Sequence, residues 1–252
     1  MKPAVTGPLF KWFGSKWQAA RHYPPPQNDV VLEPFAGSAG YGLRHYAKNV
    51  VVAESDPNIF ALWKWLVEIA TEADVRAIPI NIPEGTDIRS LGLSSGQALL
   101  LKSWQRTNNV GNCWTISPWG NKPGQWTANT RARVASEFHA IKHWKVAADG
   151  LKLLRVGTNV SGVTWFIDPP YQYNYKYSGW DFSYSDLARL ILGLAGEAIV
   201  CEAVNPKSGD KPEWLPFVDF RSTVTSRRKV DQSHHSRELI YRHSGRQNPA
   251  PS

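Results

Sequence analysis

The stretch Val30-Val-Leu-Glu-Pro-Phe-Ala-Gly-Ser-Ala-Gly40 decides the fold. It opens as a short apolar, β-branched run and passes through a glycine-bearing turn into a helix-like segment expected to start near Ser38 and to carry Tyr41, Leu43 and Tyr46. Val50-Val-Val-Ala53 repeats the pattern: a second strand, then Glu54-Ser-Asp-Pro57, then a helix with Ile59, Leu62, Trp63, Leu66 and Ile69 on one apolar stripe. Strand, helix and strand in that order make a βαβ unit with parallel strands.

Working outward, the texture changes after Ile78 to Pro79, Pro83, Gly85, Gly92 and Gly96, then to a Trp-, Asn-, Gly- and Thr-rich region from Trp104 to Thr130, which reads as an insertion. Regular pattern resumes with a helix over Val134–Trp144 and the strand Val163-Thr-Trp-Phe-Ile167, stopped by Asp168-Pro-Pro-Tyr171 because paired prolines cannot continue a central strand. A helix over Asp186–Leu194 and a strand over Glu197–Val204 follow, and Phe217–Val224 and Glu238–Arg242 are expected to pair as a closing hairpin. The fold class is α/β: an open, mostly parallel sheet with helices on both faces. Residues 1–78 and 150–246 form the main domain, 79–149 the insertion and 247–252 a flexible tail.

Composition narrows the chemistry. The chain has 252 residues, of which 42% are hydrophobic, and a formal charge of +8, a balance that favours a polyanionic partner. Two cysteines, Cys113 and Cys201, are too few for a disulfide framework or a Cys-based zinc site and fit a reducing, cytoplasmic setting. No apolar run is long enough for a membrane span and the amino end has no signal-peptide core, so neither membrane nor metal is expected, and a monomer is the default.

Three segments fall where such a sheet places a ligand. Gly37 and Gly40 allow close backbone approach, and Glu33 ends the strand before them; alone, this turn serves a nucleotide-type ligand or is a plain tight turn. Glu54 ends the next strand about 20 residues after the glycines, the spacing of an acid that receives ribose hydroxyls; Asp56 competes with it, although a cap for the helix beginning at Pro57 is its commoner role. Asp168-Pro-Pro-Tyr171 is the most specific signal, fixing a carboxylate, a carbonyl without a neighbouring donor and a flat ring around one small space.

Together these segments resemble the adenine-specific DNA methyltransferases of the Dam-like class, phage or mobile-element type. The likeness runs in chain order through Phe10-Lys-Trp-Phe-Gly-Ser-Lys16, Glu33–Gly40, Glu54, a target-recognition insertion and Asp168–Tyr171, with weaker likeness at Val200-Cys-Glu202 and Trp214-Leu-Pro-Phe217. Two departures are Ala39 and Gly14-Ser15, where glycines are usual. The resemblance implies a Rossmann-like methyltransferase fold with S-adenosylmethionine as cofactor. It sets Trp12, Gly14 and Lys16 against the cofactor, Phe35, Gly37, Ser38 and Gly40 around its pocket, Glu33 at its amine, Glu54 at its ribose, and Asp168 at the reacting end. Asp168 and the Pro169 carbonyl would accept the two N–H bonds of an adenine amine, Pro170 would stiffen the arrangement and Tyr171 would stack on a base flipped out of double-stranded DNA.

The stretch 79–149 holds eight Lys or Arg against four acids, interleaved with Trp104, Trp114, Trp119, Trp126 and Trp144. Lys122, Arg131 and Arg133 are the first choices for DNA contact, and Arg227-Arg228-Lys229 forms a second basic patch; at least half of the tryptophans are expected to form a small core belonging to the insertion. Tyr171–Tyr177, with Tyr at alternate positions, reads as a loop over the flipped base or as an edge strand. Cytosine N4 methylation, and a catalytically silent nucleic-acid-binding protein on the same scaffold, stand as alternatives.

Overall fold

The computed structural model describes residues 4–105, 113–172, 183–203, 214, 220–225 and 237–243. Among them seven strands build one sheet: β1 (Val30–Glu33), β2 (Asn49–Ala53), β3 (Lys145–Ala147), β4 (Val163–Ile167), β5 (Glu197–Ala203), β6 (Phe220–Thr225) and β7 (Arg237–His243). The order across the sheet is β3-β2-β1-β4-β5-β7-β6. The first five are parallel, β7 runs antiparallel to β5, and β6 pairs antiparallel with β7 as the expected closing hairpin. The chain moves outward from β1 to β2 and β3, then returns to lay β4 and β5 on the other side of β1. The connections leaving β1 and β4 therefore diverge, and the carboxyl ends of these two strands are where such a sheet places a ligand.

Seven α-helices accompany the described sheet: α1 (Gly40–Arg44), α2 (Pro57–Lys64), α3 (Glu72–Ala77), α4 (Ser95–Trp104), α5 (Ala128–Glu137), α6 (Gly150–Val156) and α7 (Tyr184–Leu192). Alternate strand residues point to opposite faces, as the pleat requires. Val31, Phe166, Ile199 and Cys201 join Tyr41, Leu62 and Trp63 in one buried cluster, while Leu32, Trp165, Ile167 and Val200 join Leu154, Leu187 and Ile191 in another. All five residues of β4 are buried, so the strand is covered on both faces; its one polar side chain, Thr164, donates to Glu197 Oε2 at 2.7 Å.

Four details differ from expectation. The first helix is a short one beginning at Gly40, because Ala39 before it is left-handed. α2 stops at Lys64 and passes into a π-helical turn over Trp65–Ile69, closed by the Ala70 amide on the Trp65 carbonyl. The wider turn rotates the stripe, so Leu66 is buried but Ile69 is 63% exposed. The helix expected over 134–144 instead starts at Ala128, capped by Thr127, and tightens into a 3-10 turn over Phe138–Ile141. Finally, β3 lies inside the stretch assigned to the insertion yet pairs with β2, so the insertion ends before Lys145. Three residues are too short to show a period.

Among the described residues the stretch read as an insertion does not form the small separate core expected of it: Leu100, Leu101, Trp104, Ile116, Trp126 and Phe138 belong to the same cluster as Val31 and Val52. Residues near the amino end fasten it there. The Trp104 indole donates to the Leu9 carbonyl at 3.1 Å, Lys11 Nζ to Gln125 Oε1 at 2.8 Å and Arg133 to the Pro8 carbonyl at 2.8 Å.

α4 docks through Gly96, whose missing side chain leaves room for the Trp65 ring of the π turn. Alanine is the better helix former by about 1 kcal/mol, but a methyl here enters the ring and costs about 1–3 kcal/mol of overpacking. Gly96→Ala is thus expected to lower stability in chemical denaturation; a gain would show that α4 is not seated on Trp65.

Candidate functional site

The turn between β1 and α1 is built from unusual backbone. Gly37 has φ 49°, and a β-carbon on it would stand 2.6 Å from Cδ1 of Trp12, so the indole abuts a position that only glycine fills. Ala39 has φ 46°. The residue that departs from the usual glycine thus sits in the left-handed region, at a cost of about 1–2 kcal/mol; its methyl is fully buried. The turn is pinned by the Trp63 indole on the Gly37 carbonyl at 2.8 Å and by a 2.8 Å bond from Ser38 Oγ to Ser15 Oγ, and Gly40 abuts the backbone of Lys16 and Trp17. Trp12, Gly14, Lys16, Gly37, Ser38 and Gly40, chosen from sequence, therefore meet in one place. Phe35 packs against the opposite hydrophobic cluster.

An acid stands at the carboxyl end of four parallel strands, each in a different setting. Glu33, at the end of β1, is 2% exposed and accepts from the Gly42 amide. Burial, with the nearby negative charge of Asp168 adding to it against the Gly42 bond, pushes its pKa up to about 8. Glu54, just past β2, is buried and accepts from the amides of Gly37 (2.9 Å), Ser55 (2.8 Å) and Asp56 (3.0 Å). Burial raises its pKa while these bonds oppose the rise. Glu54 thus ties the end of β2 to the glycine turn. Asp56 caps α2, accepting from Asn58 and Ile59 with Pro57 at the first helical position.

Asp168 follows β4 directly. Its Oδ2 lies 2.7 Å from Lys16 Nζ, with the two side chains 16% and 9% exposed. The same ammonium donates to the Gly14 carbonyl at 2.8 Å and lies 5.0 Å from the centre of the Tyr171 ring. One cation therefore joins the amino-terminal motif to the Asp-Pro-Pro-Tyr motif. Pro169 and Pro170 are buried and Tyr171 is half-buried.

The fourth acid, Glu202 at the end of β5, is fully buried. Its Oε2 accepts from the Trp214 indole at 3.0 Å and from the Gln172 amide at 3.4 Å. Tyr184, first residue of α7, donates its hydroxyl to the Pro170 carbonyl at 2.7 Å and has its ring 5.4 Å from that of Trp214. Burial, aided by the Glu202 charge, pushes the Tyr184 pKa up to about 12, which keeps it a donor. Sequence reasoning assigned Tyr184 no role and noted Glu202 and Trp214 only as likeness. The available signal was the recurrence of an acid at strand ends.

The nucleic-acid candidates separate sharply. Arg133 is committed to protein partners: Glu137 at 2.7 Å and the Pro8 carbonyl. Arg131 donates to the Ile78 carbonyl at 3.0 Å. Both, chosen from sequence as DNA contacts, are half-buried and bonded within the chain. Lys122 is exposed. Trp104, Trp126 and Trp144 are core, each indole bonded to a backbone carbonyl, whereas Trp119 is 58% exposed. Arg227, Arg228, Lys229 and Tyr173–Trp180 lie outside the described residues. Among the described residues no group of three or more His, Cys, Asp or Glu is placed to hold a metal ion, and no helix is long and apolar enough to cross a membrane.

No family model and no curated protein matches this chain. Among solved structures it is similar to a conserved hypothetical protein of Streptococcus pyogenes, with TM-score 0.37 and 10% identity over 84% of each chain, a likeness too slight to bear on function.

The Glu33 carboxyl provides a check on the burial described. The folded chain holds its proton up to about pH 8 and the unfolded chain releases it near 4.5. The stability this contributes is complete below the lower value and is lost as pH rises through the upper one. Glu33→Gln is expected to flatten the decline in denaturation midpoint over about pH 5–8; an unchanged slope would place Glu33 in solvent.

Proposed function

We propose that this chain is an S-adenosylmethionine-dependent methyltransferase that acts on the exocyclic amine of adenine in double-stranded DNA. The observation that carries the reading is the meeting, at the carboxyl ends of β1 and β4, of the glycine turn and the Asp168-Pro-Pro-Tyr171 segment through Lys16. Two motifs more than a hundred residues apart in sequence end beside one another, where a parallel sheet offers its ligand site.

The donor set fits the proposed cofactor. Glu33 is a carboxyl that burial holds neutral until about pH 8, beside the charge of Asp168, and it becomes a strong partner once an ammonium is brought to it. Trp12 and the Gly37 turn give a flat wall without side-chain bulk. Glu54 has accepted three backbone amides, leaving one of about four acceptor sites for a hydroxyl. When bound, the cofactor supplies an electrophilic methyl on a sulfonium.

The chain's own residues then have to hold and orient the amine. An adenine amine is a weak nucleophile because its lone pair is delocalised into the ring. Accepting its two N–H bonds at the Asp168 carboxylate and the Pro169 carbonyl pulls the nitrogen towards tetrahedral geometry and frees the pair. Pro170 has no amide to compete for that carbonyl. Tyr171 offers a stacking face. Lys16 has the same relation to Asp168 and Tyr171 that such an amine would take, donor on the carboxylate and close to the ring, so its ammonium must shift as a base arrives. The formal charge of +8, with exposed Trp119 and Lys122 on the insertion, suits a phosphate-bearing partner.

Incubation with labelled cofactor and DNA, followed by digestion to nucleosides, is expected to yield N6-methyladenine; label in N4-methylcytosine would redirect the reading, and none in DNA would end it. Asp168→Asn is expected to lower kcat about 100-fold or more while the chain stays folded, and a folded variant with parental kcat would remove Asp168 from the mechanism. Asp168→Ala should do the same with some loss of stability, since it leaves the buried Lys16 ammonium without its carboxylate. Cofactor binding near neutral pH is expected to release a proton as Glu33 ionises against the incoming amine, visible by calorimetry in buffers of different ionisation enthalpy. Binding without release would exclude Glu33 as the amine's partner.

A further inference from the structure

Asp168-Pro-Pro-Tyr171 is a segment with few means of holding its own shape. Two of its four residues lack an N–H, so no turn hydrogen bond can start from Pro169 or Pro170. The proline rings fix φ at both positions, and past them the carbonyl of Pro170 and the amide of Gln172 are two backbone handles on the far side of the motif. Both are taken, by side chains from two other elements. Tyr184 Oη of α7 donates to the Pro170 carbonyl at 2.7 Å, and Glu202 Oε2 of β5 accepts from the Gln172 amide at 3.4 Å. Glu202 is itself held by the Trp214 indole at 3.0 Å.

We infer that Tyr184 and Glu202 are positioning residues that aim the Pro169 carbonyl and the Tyr171 ring at the substrate amine and base. With φ of Pro170 fixed by its ring, the bond from Tyr184 to its carbonyl restrains ψ, the one free torsion between that carbonyl and the peptide plane that carries the Pro169 carbonyl. The second anchor, two residues on, restrains the chain just past Tyr171. Packing alone gives no reason for this arrangement. A fully buried carboxylate is costly to desolvate, and an apolar side chain of similar volume serves a core equally well or better. The polar groups are spent on the ends of the one loop that carries Asp168.

The inference rests on the methyltransferase reading, and its test keeps the two apart. Tyr184→Phe keeps the ring against Trp214 and deletes only the hydroxyl. Glu202→Gln keeps an acceptor oxygen, and Glu202→Leu removes it. Misplacement of about 1 Å in a reacting geometry costs up to about 100-fold, so Tyr184→Phe and Glu202→Leu are expected to lose about 10-fold or more in kcat, with KM for DNA and for cofactor near parental. Glu202→Gln is expected to recover most of that loss. Hydrogen exchange of the peptide covering residues 166–172, followed without substrate, is expected to quicken in Tyr184→Phe and Glu202→Leu and to stay slow in Glu202→Gln. Should Glu202→Leu fail to fold, Tyr184→Phe and Glu202→Gln decide alone. Parental kcat and parental exchange in Tyr184→Phe would overturn the inference, as would a loss confined to KM. Absence of methyl transfer by the parent chain would overturn the function proposed above, and exchange would still decide whether the two side chains fix the loop.

Discussion

A buried ammonium on a half-buried carboxylate is the constraint around which the carboxyl ends of β1 and β4 are arranged. Lys16 and Asp168 are 2.7 Å apart and almost out of solvent, and taking two such ions from water costs several kcal/mol each unless their remaining valences are met. The Gly14 carbonyl and the face of Tyr171 meet those of Lys16. That requirement fixes the path of the amino-terminal segment. To deliver Lys16 the chain must pass over the glycine turn, which puts Trp12 on Gly37 and Ser15 on Ser38. The glycine at 37 is therefore demanded from two sides, by its own left-handed backbone and by the indole above it.

The four acids at strand ends show how one residue type takes several electrical states on one sheet edge. Glu33 is held neutral by burial, Glu54 is surrounded by backbone amides, Asp168 is paired with a cation and Glu202 is bonded by an indole and an amide. Parallel strand direction places all of them, since the four strands end at the same edge of the sheet. Their differences come from what the following turn presents: amides after β2, a lysine from far upstream after β4, an indole from further downstream after β5.

Much of this was legible in the sequence because it is local. The apolar runs of β1, β2, β4 and β5, the Asp56-Pro57 cap, the glycine turn and the closing hairpin follow from periodicity and turn chemistry, and the three ligand-side segments do converge. Other features are non-local or too short to leave a period. β3 is three residues long. The π turn at Trp65–Ile69 reads as ordinary amphipathic helix until the exposure of Ile69 is known. Arg133 shows its i,i+4 partner Glu137 in sequence, but its second partner, the Pro8 carbonyl, is 125 residues away. Tyr184 carries no motif, and its partner is a carbonyl, which sequence does not mark.

The fastening of the amino-terminal segment to the insertion has a practical bearing on exchanging parts between proteins. Leu9, Pro8 and Lys11 are bonded to Trp104, Arg133 and Gln125, and Thr6 donates to Glu137. A chimera cut only at residues 79 and 144 would carry away half of each of these pairs and leave the host's first dozen residues, Trp12 among them, without their moorings. Recombination that succeeds must transplant the leading segment together with the stretch 79–144, as a single discontinuous cassette, or confine its changes to the exposed positions Trp119 and Lys122–Gly124.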